Sequence, residues 1–153
     1  MAVSTTQSIW RSGGGDQTRT AYCGSGIMAA RFFITDPSPP TSNVLVTTTS
    51  SVSLILPENS IVIGIYISNP GSAGTCDIGV KGYYSGTVDS NFIANALPIS
   101  AKGTFSTGSV INGFPITEMS YVTVTDDGSG ASGTVGGTIL YYVLDPLTGQ
   151  QNV

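Results

Sequence analysis

Three carboxylates, Asp77, Asp89 and Glu118, are the groups with which this chain could run acid–base chemistry on a glycoside. That chemistry needs two carboxyls facing each other across the substrate, and nothing in their spacing pairs them. Ser100 and Lys102 have the residue types of a hydrolytic Ser–Lys dyad, which works only when the lysine is buried. In a turn after Pro98 the lysine is expected to face solvent. Asp126-Asp127-Gly128 offers oxygens to a cation, but the alternating ligands and closing Glu of a calcium loop are missing. Adjacent carboxylates at a hairpin turn read instead as turn formers. Gly128-Ser129-Gly130-Ala131-Ser132-Gly133 matches G-x-G-x-x-G, yet it joins two strand-like segments where a dinucleotide site needs a strand followed by a helix. Cys23 and Cys76 lie too far apart for a zinc-finger spacing, and two reduced thiols packed as small hydrophobes are favoured over a disulfide. The chain has no histidine, and only 5 basic and 9 acidic residues in 153. Ser-His-Asp triads, Cys-His pairs and histidine-ligated metals are excluded by composition. No catalytic residue, cofactor site or metal site is expected.

What positions these groups is a β-rich chain. Ser, Thr, Gly and β-branched residues build sheets and turns. With 40% hydrophobic residues the chain can bury a core, and its length suits one domain. No run approaches the roughly 20 apolar residues of a membrane helix, so no membrane partner is expected. A formal charge of −4 offers no basic surface for nucleic acid. The N-terminus lacks the basic-then-apolar pattern of a secretory signal, so synthesis is expected in a cytoplasm.

Residues 1–40 differ from the rest. Gly13, Gly14 and Gly15 form a triplet, Trp10 stands in a polar stretch, and Asp36-Pro37-Ser38-Pro39-Pro40 closes the segment. It reads as an extended arm, with residues 27–34 as one short strand or anchor; an ordinary first strand tucked into the domain is an equal alternative. Residues 41–153 read as the folded domain. From Val44 onward the period is two. Val52, Leu54 and Leu56 share a face. Asn59 is suited to a left-handed turn position, and Ile61, Ile63, Ile65 and Ile67 are expected to form one apolar face. Cys76, Ile78 and Val80 should point inward with Asp77 and Lys81 outward. Residues 92–97 are compatible with one or two helical turns. Ile116, Val122 and Val124 alternate with Met119, Tyr121 and Thr123, and residues 126–133 form a long turn. The last strand, Ile139 to Leu144, is apolar on both faces, so it is central or meets another subunit. Short strands between Gly, Pro and Asn turns predict an all-β, antiparallel, jelly-roll-like β-sandwich with an extended N-terminal arm.

Tyr66, Tyr83, Tyr84, Tyr121 and Tyr142 could stack on sugar rings, although packing across strands is the favoured role. The Leu-Pro-Glu-Asn-Ser turn at 56–60 runs into Ile61–Ser68. Thr75-Cys76-Asp77-Ile78-Gly79-Val80 and Asp89-Ser90-Asn91-Phe92-Ile93 follow, and the chain closes on Gly136-Gly137-Thr138-Ile139-Leu140-Tyr141-Tyr142-Val143-Leu144. In these features the segment from Leu56 to Asp145 resembles small structural proteins of tailed-phage virions, of the head-decoration type. The resemblance implies a β-sandwich that oligomerises, often as a trimer, on an icosahedral shell. The expected function is therefore a non-enzymatic capsid cement or decoration protein on the outside of the phage head. Its partners would be the major capsid protein and further copies of itself. Trp10, Arg11, Phe32 and Phe33 are the expected capsid contacts. Ile139, Tyr141, Tyr142 and Val143 are the expected oligomer contact. The alternative is a tail- or fibre-associated receptor module that binds glycans.

Overall fold

A computed structural model of the chain describes residues 26–35, 37, 44–49, 52–108 and 110–144. The described residues are strands and turns, with no helix. In chain order the strands are β1 (Met28–Thr35), β2 (Val44–Leu45), β3 (Thr47–Thr49), β4 (Val52–Ser53), β5 (Ile55–Leu56), β6 (Ser60–Asn69), β7 (Thr75–Gly82), β8 (Val88–Pro98), β9 (Gly103–Ser106), β10 (Ser120–Asp126) and β11 (Thr134–Val143). They form two antiparallel sheets. One has six strands in the order β4-β3-β1-β11-β6-β9; the other runs β2-β10-β7-β8, with β5 also paired to β10. The chain is an all-β sandwich, as the residue pattern predicts.

The core lies between the sheets. From the six-stranded sheet it takes Phe32, Ile34, Val62, Ile65, Ile67, Val135 and Ile139. From the other sheet it takes Cys76, Ile78, Ile93, Leu97, Val122 and Val124. Cys76 and Ile78 point inward and Lys81 is exposed, as the alternation predicts. The left-handed turn position falls on Asn59, with φ 62°.

Three features differ from the sequence reading, each for a local reason. The isoleucines of β6 do not share one face. Against β11, Leu140 faces Gly64 while Tyr141 faces Val62, so Ile63 is the extra residue of a bulge. The bulge reverses the alternation: the core takes Val62, then Ile65 and Ile67, and leaves Ile61 and Ile63 half-buried. Residues 92–97 are strand and not helix. There β8 is irregular against β7, and Ala96 sits at φ 51°, its amide donating to Asp77 Oδ1 at 2.8 Å. The last strand also starts earlier than expected, at Thr134, and includes Gly136 and Gly137.

Those glycines explain how β1 is held. β1 pairs with β11 through eight consecutive residues, placing Phe32 opposite Gly137 and Phe33 opposite Gly136. A Cβ at Gly137 would lie 2.7 Å from the Phe32 ring, and one at Gly136 would lie 3.4 Å from Phe33. One ring covers a glycine on the inner face, the other on the outer face. Of the two readings of residues 27–34, the strand tucked into the domain is the one found: β1 belongs to the six-stranded sheet and Phe32 is 2% exposed.

Both open sides of the sandwich are closed by chain that touches the two sheets. β2 and β5 both pair with β10, and between them the chain leaves to form the β3–β4 hairpin beside β1. Val46 and Leu54, both buried, are the crossing points; Leu54 N donates to Val46 O, and both contact Val122 through backbone bonds. On the other side, Thr107 N donates to Ile63 O in one sheet, while Asn95 N donates to Val110 O and Asn112 N to Ile93 O in the other.

Phe32→Ala should destabilise the fold by about 3–5 kcal/mol, the range for a buried Phe, and Phe33→Ala by about 1–2 kcal/mol. Urea unfolding of the two variants measures this, and equal losses would contradict the inward–outward assignment. Thr123 Oγ1 is buried without a hydrogen-bond partner among the described residues. Thr123→Val should therefore raise stability by about 1 kcal/mol, read as a higher urea midpoint at constant slope.

Candidate interaction surface

The two ends of the sandwich differ in chemistry. One end carries the turns 70–74, 99–102 and 127–133. There Asp126, itself buried, accepts the amides of Gly128 and Ala131 through Oδ1, both at 3.2 Å. Asp127 accepts the amide of Ser129 at 3.0 Å and the hydroxyl of Thr75. Burial opposes the charge on Asp127, but the hydrogen bonds from Ser129 and Thr75 outweigh it and hold the carboxyl below its usual range. The aspartate pair closes a turn, as expected. Gly128, Gly130 and Gly133 have φ of 92°, 78° and 84°, which is loop geometry that cannot open a helix. Among the described residues no group of three or more His, Cys, Asp or Glu is placed to hold a metal ion. Ser100 and Lys102 are exposed in the β8–β9 turn, away from the burial a hydrolytic lysine needs. Cys76 is a free, buried thiol pushed up to about 12, first by burial and then by Asp77, Asp127 and Asp126, so it stays protonated as a small core side chain. Cys23 lies outside the described residues.

The other end is apolar. It carries the β5–β6 turn, the β7–β8 turn, residues 113–119, the start of β1 and the end of β11. Asn59 ties these together: its amide donates to Ile116 O, and Leu144 N donates to its carbonyl. Tyr84 is 78% exposed, Ile27 65% and Phe114 61%, and Met28, Tyr83, Val88 and Leu144 are also exposed here. Rings connect across the surface. Tyr83 meets Tyr84 edge-on at 5.2 Å and Tyr121 at 5.5 Å, while Phe92 and Phe114 lie 6.4 Å apart. Phe92 also lines a cleft of about 180 Å³. Val80, Phe92 and Ile116 form its apolar lining, and Thr87, Asp89, Thr117 and Glu118 its polar part.

The structure thus brings two of the three sequence carboxylates to one cleft, Asp89 and Glu118, and leaves Asp77 bonded to the Ala96 amide. Glu118 is already engaged. It accepts the amides of Tyr84 at 3.0 Å and Ser85 at 3.3 Å, and the Ser85 hydroxyl. Gly82 is what lets it reach, since a side chain there would occupy the space of the carboxylate and of Ser85 Oγ. The Ser85 hydroxyl, then the Tyr84 amide, hold the Glu118 carboxyl below its usual range.

Of the expected contact residues, Phe32 and Ile139 are closed in the core and cannot meet a partner. Phe33 is half-buried against Gly136 on the outer face of the six-stranded sheet. Tyr141 packs against the core, whereas Tyr142 and Val143 are half-buried near the apolar end. Trp10 and Arg11 lie outside the described residues. Of the tyrosines, Tyr83, Tyr84 and Tyr121 gather at the apolar end, while Tyr66 is exposed on the opposite sheet. The sequence reading passed over Phe114. Its signal was an aromatic between Gly113 and Pro115, in a stretch without strand period.

No protein-family model matches the chain, and no curated protein matches it. Two solved structures are similar to it. A chain of the cyanophage Pam1 capsid asymmetric unit is 15% identical, with 79% of this chain and 87% of that chain covered and a TM-score of 0.47. A chain of the acidic stable capsid structure of Helicobacter pylori bacteriophage KHP30 is 16% identical, with 78% and 90% covered and a TM-score of 0.43.

Because the folded Glu118 carboxyl titrates below its ordinary value of 4.5, its contribution to stability is full above that pH and lost as the pH falls through the lowered value. Glu118→Gln should be less stable than the parent near pH 7, and the gap should close as acidification carries the pH through the lowered value. Urea midpoints measured across pH 3–7 test this; a gap that stays constant would mean that Glu118 acts by shape and not by charge.

Proposed function

We propose that this chain is a non-enzymatic structural protein of a tailed-phage virion, a cement or decoration protein. It binds the outside of the head shell and bridges major capsid subunits. The observation that carries this reading is a sandwich closed on both open sides, whose carboxylates Asp77, Asp126, Asp127 and Glu118 bond to turns and a bulge of its own chain. Polar groups that in an enzyme would face a substrate here brace the scaffold. The resemblance of residues 56–145 to virion proteins points the same way.

A cement protein works by contact area and tethering. A body of this size offers one standard interface of about 800 Å² per partner. A second contact through a tethered segment then forms at high effective concentration. Residues 1–25, with Trp10 and Arg11, are the segment we assign to that second contact. Phe32 is not part of it, because removing β1 would remove core. Self-association, read as a trimer, would use Tyr142 and Val143 with the neighbouring outer face of the six-stranded sheet, where Leu140 and Tyr66 are also partly or largely open to solvent.

The test uses shells assembled from the major capsid protein of the same genome without this chain. The full chain should bind them saturably. A truncation lacking residues 1–25 should keep its circular dichroism and melting profile and bind at least tenfold more weakly. Equal binding by the truncation would remove the tether, and absence of binding by the full chain would remove the cement function.

A further inference from the structure

We infer that the apolar end of the sandwich is the surface that faces the shell, and that its central cleft receives one large apolar side chain of a capsid subunit. The inference rests on the cement reading and adds to it an orientation and a point of engagement.

Exposure is the first ground. Among the described residues ten large apolar side chains stand exposed, and seven of them sit at this end. The opposite end has none, and is finished with Asp, Ser, Gly and Lys102. Apolar surface gathered at one pole of a small domain marks a contact site.

The second ground is where the chain leaves the body. Gly26 leads into β1, whose Met28 pairs with Tyr141, and Leu144 follows the last residue of β11. Residues 1–25 and 145–153 therefore both join the body at the apolar end. Six strands at about 4.8 Å spacing give a width of about 29 Å, and two layers with side chains are about 20 Å thick. The end alone offers roughly 600 Å², short of the roughly 800 Å² of a standard interface. A shell contact centred on this end has to extend onto the neighbouring faces to reach that area.

Chemistry of the rim is the third ground. Glu58, Asp89 and Glu118 border this end with Lys81 as the one cation among its described residues. An apolar centre with a mainly acidic border fits a partner with an apolar knob and a basic rim. At about 180 Å³ the cleft has room for one leucine or phenylalanine side chain. Hot spots of protein contacts have this form, a large anchor side chain buried in a pocket.

Phe114→Asp and Tyr84→Asp test the surface, and Thr117→Trp tests the cleft; all three positions are exposed, so the fold should hold, as melting profiles will show. Lys102→Asp and Ala101→Asp, exposed at the opposite end, are the controls. Affinity for the cement-free shells is measured by co-sedimentation. Each apolar-end variant should weaken binding at least tenfold, and each control should stay within twofold. Wild-type affinity in the apolar-end variants would overturn the orientation while leaving the cement function standing. A parent chain that does not bind would overturn both. A change of oligomeric state with shell affinity unchanged would assign this end to contacts between copies and overturn its assignment to the shell.

Discussion

Unpaired strand edges are what a two-sheet protein has to resolve, and the way this chain resolves them organises the rest of it. Each sheet of an open sandwich ends in backbone donors and acceptors that invite pairing with other chains. Here one excursion of the chain, residues 44–56, serves the edges of both sheets. β2 and β5 are only two residues each, too short to persist alone, but β10 aligns both and the β3–β4 hairpin joins them beside β1. Val46 and Leu54 fix the crossing by burial, so the link between sheets is made of packed apolar groups as well as backbone bonds. On the far side, the Ile63 bulge is part of the same solution, because Thr107 donates to the Ile63 carbonyl and carries the chain across to β8.

With the sides closed, glycine decides how each end is finished. Gly82 admits the Glu118 carboxylate to the β7–β8 turn. At the opposite end Gly74 leaves no room for a side chain, since a Cβ there would meet Ala131 backbone and Ser129 Oγ. In both places a polar side chain from a distant part of the sequence locks a turn that local propensity leaves loose. Gly137 makes room for the Phe32 ring on the inner face of the sheet, and Gly136 for the Phe33 ring on the outer face.

The legible parts of this fold are those fixed by nearest neighbours. β7 and β10 alternate without interruption where they pair, and their inward residues are the ones the period names. The Asn59 turn and the 126–133 turn are likewise local, set by residues that tolerate left-handed backbone. What escaped depends on partners far along the chain. The reversal in β6 needs the Ile63 bulge, which only the pairing with β11 defines, and the strand at 92–97 needs Asp77 to hold Ala96, 19 residues away. β1 looks like part of an arm because Asp36-Pro37-Ser38-Pro39-Pro40 follows it, and only the Gly136–Gly137 pair shows that two rings are to be received. The candidate surface was legible in part. Asp89, Glu118 and the tyrosines stood out by type, but their gathering at one end follows from antiparallel pairing of β7 with both β8 and β10. Phe114 carries no periodic signal, since its place is set by the Ile61–Pro115 bridge.

A division of labour follows between what resists acid and what responds to it. The core is aliphatic, and its thiol stays protonated across the range in which carboxylates titrate, so sheet packing has no protonation step there. Two carboxylates that brace turns, Glu118 at the apolar end and Asp127 at the polar end, are both held below their ordinary values. As pH falls, the braces are protonated and each turn loses its charged acceptor, while Phe32, Ile65 and Val122 remain in place. Because Glu118 also lines the cleft, contact geometry at the apolar end is coupled to that protonation, whereas the edge closures, made of backbone bonds and buried aliphatics, are not.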